Sequence, residues 1–256
     1  MKILVIMPFG TGGYNQTVRD VLNRVRRNDT EIVVENLSRG PEFIRYAYFQ
    51  SLMVPDIVDR IIRAEREGYN GVFVSCCFEP GVKEAREVVD IPVVGGSSPA
   101  VFMARQLGQR FGFITDTERA NVITYDLFKQ CKLDVECVGI KSIEMKVEQI
   151  RRDPKTNQQR VIALAEKLVA DGADVIINGC TIVAASFDKS RVPESLSEIP
   201  FIDSNVASLK TLEMLVDLHS KDGLTVSRKS NYVKPQEKEA AVYPKVRAMY
   251  GFFDDM

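Results

Sequence analysis

The sequence predicts an α/β fold made of two pseudo-symmetric halves. Each half is a Rossmann-like or flavodoxin-like parallel sheet with flanking helices, and the active site is expected in the cleft between them. Three observations carry this reading. Short β-branched runs alternate with amphipathic helical runs, the rhythm of βαβ units. The whole order of runs then occurs a second time. The chain has 256 residues, 45% apolar and 27% charged, an ordinary globular mix with enough length for one large or two small cores.

The elements run in order. KILVIM (2–7) and EIVVENL (31–37) read as strands. VPDIVDRIIRAEREG (54–68) has apolar residues three and four apart and stops at a glycine, so it reads as a helix. GVFVSC (71–76) and IPVVGG (91–96) are strands again. In the second pass RFGFITD (110–116) answers the first strand, and NQQRVIALAEKLVADG (157–172) answers the helix. DVIINGC (174–180) then answers GVFVSC, and IPFIDS (199–204) answers IPVVGG. Gly68 stands eight residues before Cys76, and Gly172 eight before Cys180. Ile91-Pro92 begins 15 residues after the first cysteine, and Ile199-Pro200 begins 19 after the second.

This repeat divides the chain into 1–97 and 98–205. SNVASLKTLEMLVDL (204–218) is expected to return as a helix onto the first half, so that 206–256 joins the first lobe. The polar tail from Lys221 is expected to be a surface arm ending in a short helix, with GFFDDM docked on the body or on a neighbour.

Composition removes several classes of function. A net charge of −1 offers no basic surface for nucleic acid. No apolar run approaches the ~20 residues that span a bilayer, and MKILVIMPFG reads as a strand rather than a signal peptide. A cytoplasmic protein with no membrane partner is expected. The five cysteines include no C-x-x-C pair, so no disulfide scaffold is expected, and Cys131 and Cys137 read as buried small apolar residues. The single histidine, His219, ends an apolar helical pattern, which argues against a histidine-based hydrolase and against a metal site. GTGGYN, with Glu35 on a later strand, resembles a dinucleotide loop, but Asn15 stands where the third glycine belongs. A turn, or a loop whose amides hold an anionic group, is the better reading.

Cys76 and Cys180 each close a strand, where ligands gather in parallel sheets. Free amides and the dipole of a following helix are expected to favour thiolate over thiol, whose ordinary pKa is ~8.5. A thiolate on one face of a carbon and a thiol on the other can remove a proton and return one from the opposite side. The carbanion needs hydrogen-bond donors, and the candidates are the amides after the cysteines and the hydroxyls of Thr11, Ser97, Ser98, Thr115 and Thr181. Each of these hydroxyls is equally suited to a turn or a helix cap. Because side chains alternate along a strand, only one of Cys76 and Cys77 should face the cleft. The repeat selects Cys76, leaving Cys77 to pack or to lend its backbone N–H.

VSCCFEPGVKEARE and ADVIINGCTIVAA, with IPVVG between them and RFGFITDT opening the second half, resemble the Asp/Glu/hydantoin racemase family. The hydantoin and allantoin racemase branch, with C-F-G-D-P-G after its first cysteine, is most similar, and Glu79-Pro80-Gly81 fits that D-P-G. The resemblance covers nearly the whole chain. It implies a two-domain fold, stereochemical inversion by two thiols without a cofactor, and a homo-oligomer acting on a small molecule. The branch opening I-N-P-N-T-S is IMPFGT here. Its I-E-S-x-Y-D-E-A is IRYAYFQSL, where Ile44 and Tyr48 match and Arg45, Phe49 and Gln50 replace the acids. Pro8 and Ile182 stand where glutamate racemases place an Asp and a His. These departures imply a substrate less polar than glutamate, with an apolar side chain beside Phe9, Tyr48 and Phe78. The substrate-facing set is therefore Pro8, Phe9, Thr11, Tyr48, Cys77, Phe78, Ser97, Ser98, Thr115 and Thr181. Two other readings stand beside it: a decarboxylase or cis-trans isomerase of arylmalonate or maleate type, and a non-catalytic small-molecule binding module.

Overall fold

The computed structural model describes residues 1–252. The first half runs β1 (Lys2–Met7), α1 (Asn15–Val25), β2 (Glu31–Asn36), α2 (Ala47–Arg66), β3 (Gly71–Val74), α3 (Val82–Val88) and β4 (Val93–Val94). The second runs α4 (Ser97–Leu107), β5 (Phe111–Thr115), α5 (Glu118–Cys131), β6 (Cys137–Ser142), α6 (Val147–Ile150), α7 (Pro154–Ala170), β7 (Val175–Asn178), α8 (Thr181–Ala185) and β8 (Phe201–Asp203). α9 (Ser204–Asp222), α10 (Pro235–Lys238) and α11 (Tyr243–Met249) complete the chain.

Each half forms one four-stranded parallel sheet, ordered β2-β1-β3-β4 and β6-β5-β7-β8. The two orders are equivalent, so the sequence repeat is a repeat of topology. Apart from Lys2, which opens β1, the inner strands β1, β3, β5 and β7 are buried along their length, which is why they read as largely apolar runs. Edge strands β2 and β6 are half-buried.

α4 packs on β7 and β8, while α9 contacts β3, β4 and α1 as well as α4, α8 and β8. α9 therefore lies where the lobes meet. Its seat is shaped by Gly71, where a Cβ would stand 2.8 Å from Leu212 Cδ1 and 2.9 Å from Val216 Cγ2. Glu213, only 3% exposed, accepts from the Arg27 amide (2.9 Å) and Thr30 Oγ1 (2.8 Å) and pairs with Lys210 (2.8 Å). Gly223, at φ 71°, ends the helix, and His219 Nδ1 lies 3.1 Å from the Leu224 carbonyl oxygen. Beyond it the tail grips the end of α3. Arg228 donates to the carbonyls of Arg86 and Glu87, and Lys234 and Arg228 both pair with Asp90.

Two expectations change, and a third is untested. α2 begins at Ala47, two turns ahead of the predicted start, and carries Pro55 inside it. Proline argued for a boundary because it lacks an N–H; here the helix forgoes that one bond and continues. Cys131 is exposed at the end of α5, and Cys137 is only half-buried, because β6 is an edge. The expected docking of GFFDDM falls, for residues 253–256, outside the described residues. Among the described residues no helix is long and apolar enough to cross a membrane.

Replacing Glu213 by Ala strands the buried Thr30 hydroxyl and the part-buried Arg27 amide, which should cost about 2–3 kcal/mol. For a chain of this size that lowers Tm by about 5–10 °C, and thermal unfolding followed by circular dichroism measures it.

Candidate active site

β3 and β7 hold the same place in their sheets, and each is followed two residues later by a cysteine. After β3 the chain turns at once, the Cys76 amide donating to the Val74 carbonyl (2.8 Å). α3 begins only at Val82, so the sulfur of Cys76 meets no helix end; the Phe78 amide donates to it instead, at 3.4 Å. Cys180 directly precedes α8 and is its N-cap residue. Both cysteines are buried.

The Cys76 loop is pinned by a residue under strain. Glu79 has φ 52°, a left-handed conformation that costs a residue with a Cβ roughly 1 kcal/mol. In that pose its carboxylate accepts from the amides of Ser97 (2.9 Å) and Ser98 (2.6 Å) and from Ser98 Oγ (2.7 Å). Ser97 Oγ donates to the Cys77 carbonyl (2.6 Å). A Cβ at Gly96 would lie 2.9 Å from the Cys76 carbonyl oxygen, and one at Gly95 2.3 Å from Glu79 Cγ, so only Gly-Gly lets β4 pass this close. The Cys180 turn has its own requirement: a Cβ at Gly179 would lie 1.9 Å from the Phe113 ring.

The two loops are also tied to each other. Thr181 Oγ1 donates to the Ser75 carbonyl across the lobes (3.2 Å). Asn205 Nδ2 donates to the Thr181 carbonyl (2.8 Å) and to Asp203 Oδ1 (3.0 Å), and Ser75 Oγ donates to Asn205 Oδ1 (3.5 Å). Ser75, Thr181, Asp203 and Asn205 are all buried.

Between the lobes lies a cavity of about 30 Å³, room for one or two waters. Anything larger than a few atoms enters only when this form opens. Of the residues expected here, Cys76, Cys180, Phe9, Cys77, Phe78 and Thr181 line it. Pro8, Thr11, Tyr48, Ser97, Ser98 and Thr115 are not among its walls. Tyr48 is 70% exposed on α2. Thr115 turns its hydroxyl to Asn121 of α5, Thr11 Oγ1 accepts from the Gly13 amide (3.4 Å), and the two serines anchor the cysteine loop as described.

Cys77 departs from expectation. Strand alternation predicted one inward cysteine, but both lie beyond the end of β3, where alternation no longer applies. Hydrogen bonding to the sulfurs of Cys180 and Cys76, together with burial, pushes the Cys77 thiol well above the ordinary range. It therefore stands beside the other two as a neutral thiol.

Arg45 and Asp116 are the charged residues in the wall that no site assignment anticipated. The loop after β2 brings Arg45 over the site. Gly10 and Gly40 pack backbone on backbone beneath it, a Cβ at Gly10 lying 2.2 Å from the Gly40 carbonyl oxygen. The Arg45 guanidinium carbon sits 3.9 Å from the centroid of the Phe43 ring, and Nη2 reaches both oxygens of Glu148 at 3.0 Å. Arg119 Nε donates to the Arg45 carbonyl (3.1 Å), and Arg151 Nη1 donates to that of Gly13 (2.9 Å). The glycine loop thus serves as a turn held by the second lobe. Asp116 comes directly after β5, just where the chain of the other lobe reaches Pro8 and Phe9. The signal for it was its position one residue past the end of an inner strand, the same kind of place that marked the two cysteines.

Burial pushes the Asp116 carboxyl up to about 6 from an ordinary 3.8. Its folded value exceeds its unfolded one, so stability falls as pH rises from about 4 to about 6 and stays lower above. The loss is on the order of 3 kcal/mol. Asp116→Asn should raise Tm at pH 7 by several degrees and flatten the Tm profile between pH 4 and 6, read by differential scanning calorimetry.

Residues 3–212 match the family model described as Asp/Glu/Hydantoin racemase. The chain is 31% identical over 240 residues to a hydantoin racemase from Pseudomonas sp. (strain NS671), covering 93% of this chain and 94% of that one. It is 29% identical to a hydantoin racemase from Paenarthrobacter aurescens, over 93% of this chain and 99% of the relative. Among solved structures, allantoin racemase from Klebsiella pneumoniae superposes with a TM-score of 0.82 at 25% identity, over 92% of this chain and 94% of that one. Two equivalent parallel sheets and near-complete alignment with these relatives lead to one assignment: the chain belongs to the Asp/Glu/hydantoin racemase family, a family of isomerases, and within it to the hydantoin and allantoin racemase branch.

Proposed function

We propose that this protein is a cofactor-independent racemase or epimerase that inverts a carbon next to a carbonyl in a hydantoin-type substrate, with Cys76 and Cys180 as its two bases. The observation that supports it best is that both sulfurs, carried by equivalent strand ends of the two lobes, line one cavity. In the forward direction one thiolate takes the α-proton. The electron pair of the C–H bond moves toward the adjacent carbonyl oxygen, and the opposite thiol gives its proton to the other face. The new C–H bond leaves the second sulfur as thiolate and the first as thiol, ready for the reverse reaction. Enolate charge needs donors, and the nearest candidates are the Cys77 amide and the first amides of α8, those of Thr181 and Ile182, since the Cys76, Phe78 and Cys180 amides are already engaged. The substrate side chain would lie against Phe9, Phe43 and Phe78.

Cys76→Ser and Cys180→Ser should each cut racemisation of a 5-substituted hydantoin by about 10³-fold. Each single variant should still exchange the α-proton of one enantiomer with solvent, seen by proton NMR in D2O. Racemisation at the parent rate by either variant would remove the proposal. Release of carbon dioxide from an arylmalonate at a rate above racemisation would favour the decarboxylase reading instead.

A further inference from the structure

We propose that Arg45 and Asp116 form the substrate-recognition pair of this cleft: Arg45 offers its Nε–H to a substrate carbonyl oxygen, and Asp116 accepts an amide N–H beside it. The proposal rests on the racemase reading and says which substrates that site takes. Both side chains line the cavity that holds Cys76 and Cys180, Arg45 from the first lobe and Asp116 from the second.

Each has one unfilled function. The Arg45 guanidinium is occupied at Nη2 by Glu148 and packs against Phe43, yet its Nε–H is buried and has no hydrogen-bond partner among the described residues. A buried donor without a partner costs free energy that a bound acceptor would recover. Asp116 is 6% exposed, and its carboxylate meets only local groups: two backbone amides and the Thr117 hydroxyl at 3.5 Å. It has no ion pair among the described residues, and Arg45 reaches it through charge alone.

A donor on one wall and an acceptor on the other complement the edge of an amide or ureide, which presents C=O and N–H side by side. The charge balance agrees. Glu148 already neutralises Arg45, so no surplus cation awaits a substrate carboxylate. The pair therefore selects uncharged ring amides over free amino acids. It is complete only when the loop carrying Arg45 lies against the second lobe, which couples recognition to closure.

The test measures binding of 5-benzylhydantoin and its N1- and N3-methylated forms by isothermal titration calorimetry. The proteins are the parent, Asp116→Asn and Arg45→Lys, the last retaining a cation for Glu148. The parent should bind the unmethylated compound, and each variant about tenfold or more weaker. One of the two methylated forms should lose a similar factor on the parent but lose nothing further on Asp116→Asn. Unchanged affinity in Asp116→Asn, equal affinity for all three compounds, or no hydantoin binding by the parent would each overturn the pair. Deuterium incorporation at the α-carbon, followed on the same compounds, separates the two claims. Binding with the expected methyl pattern but without exchange would uphold recognition and remove the racemase reading; exchange without the pattern would do the reverse.

Discussion

Everything proposed for this cleft depends on one hydrogen bond that crosses it, from Thr181 Oγ1 to the Ser75 carbonyl. Ser75 precedes one of the two proposed bases and Thr181 follows the other, so this bond constrains their spacing. Asn205 doubles the tie by holding the Thr181 carbonyl, and Asp203 holds Asn205 in turn. The cluster is buried, where satisfied polar groups specify a single arrangement and unsatisfied ones are costly. It also explains why α9 lies at the junction, since its first turn supplies Asn205.

The site carries features that work against stability. Glu79 is left-handed without being glycine, and Asp116 is a carboxylate held in a buried wall. Each has a cost at neutral pH, which for Glu79 the three hydrogen bonds from Ser97 and Ser98 offset. Glu79 fixes the Cys76 loop to α4, and Asp116 faces the space where substrate would sit. Such concentration of strain is expected where geometry serves chemistry rather than folding. The cavity is nearly filled in this form, and the Arg45–Glu148 bridge joins the first lobe to the second beside it.

The repeat was the most legible feature of the sequence. Buried central strands are apolar along most of their length, so β1, β3, β5 and β7 stood out, and the glycine-to-cysteine offset aligned the halves. β6 and α5 escaped notice because an edge strand and an exposed helix face carry weak patterns. Within the site, Cys76 and Cys180 were readable from strand ends. The hydroxyl candidates were not: whether Ser97, Ser98 and Thr115 face a ligand or anchor a loop depends on partners distant in sequence, Cys77, Glu79 and Asn121 among them. Arg45 was visible only as a departure from the family pattern, because its role depends on Glu148, 103 residues away.

The central claim is that two different groups handle the proton on the two faces of the carbon. It is tested most directly by following a single enantiomer of a 5-substituted hydantoin in D2O during the first turnovers. Mass spectrometry of the separated enantiomers should find the product deuterated at the α-carbon and the recovered substrate still protiated. Retention of the original proton in the product, or equal deuterium in substrate and product from the start, would mean that one base serves both faces and would contradict the account.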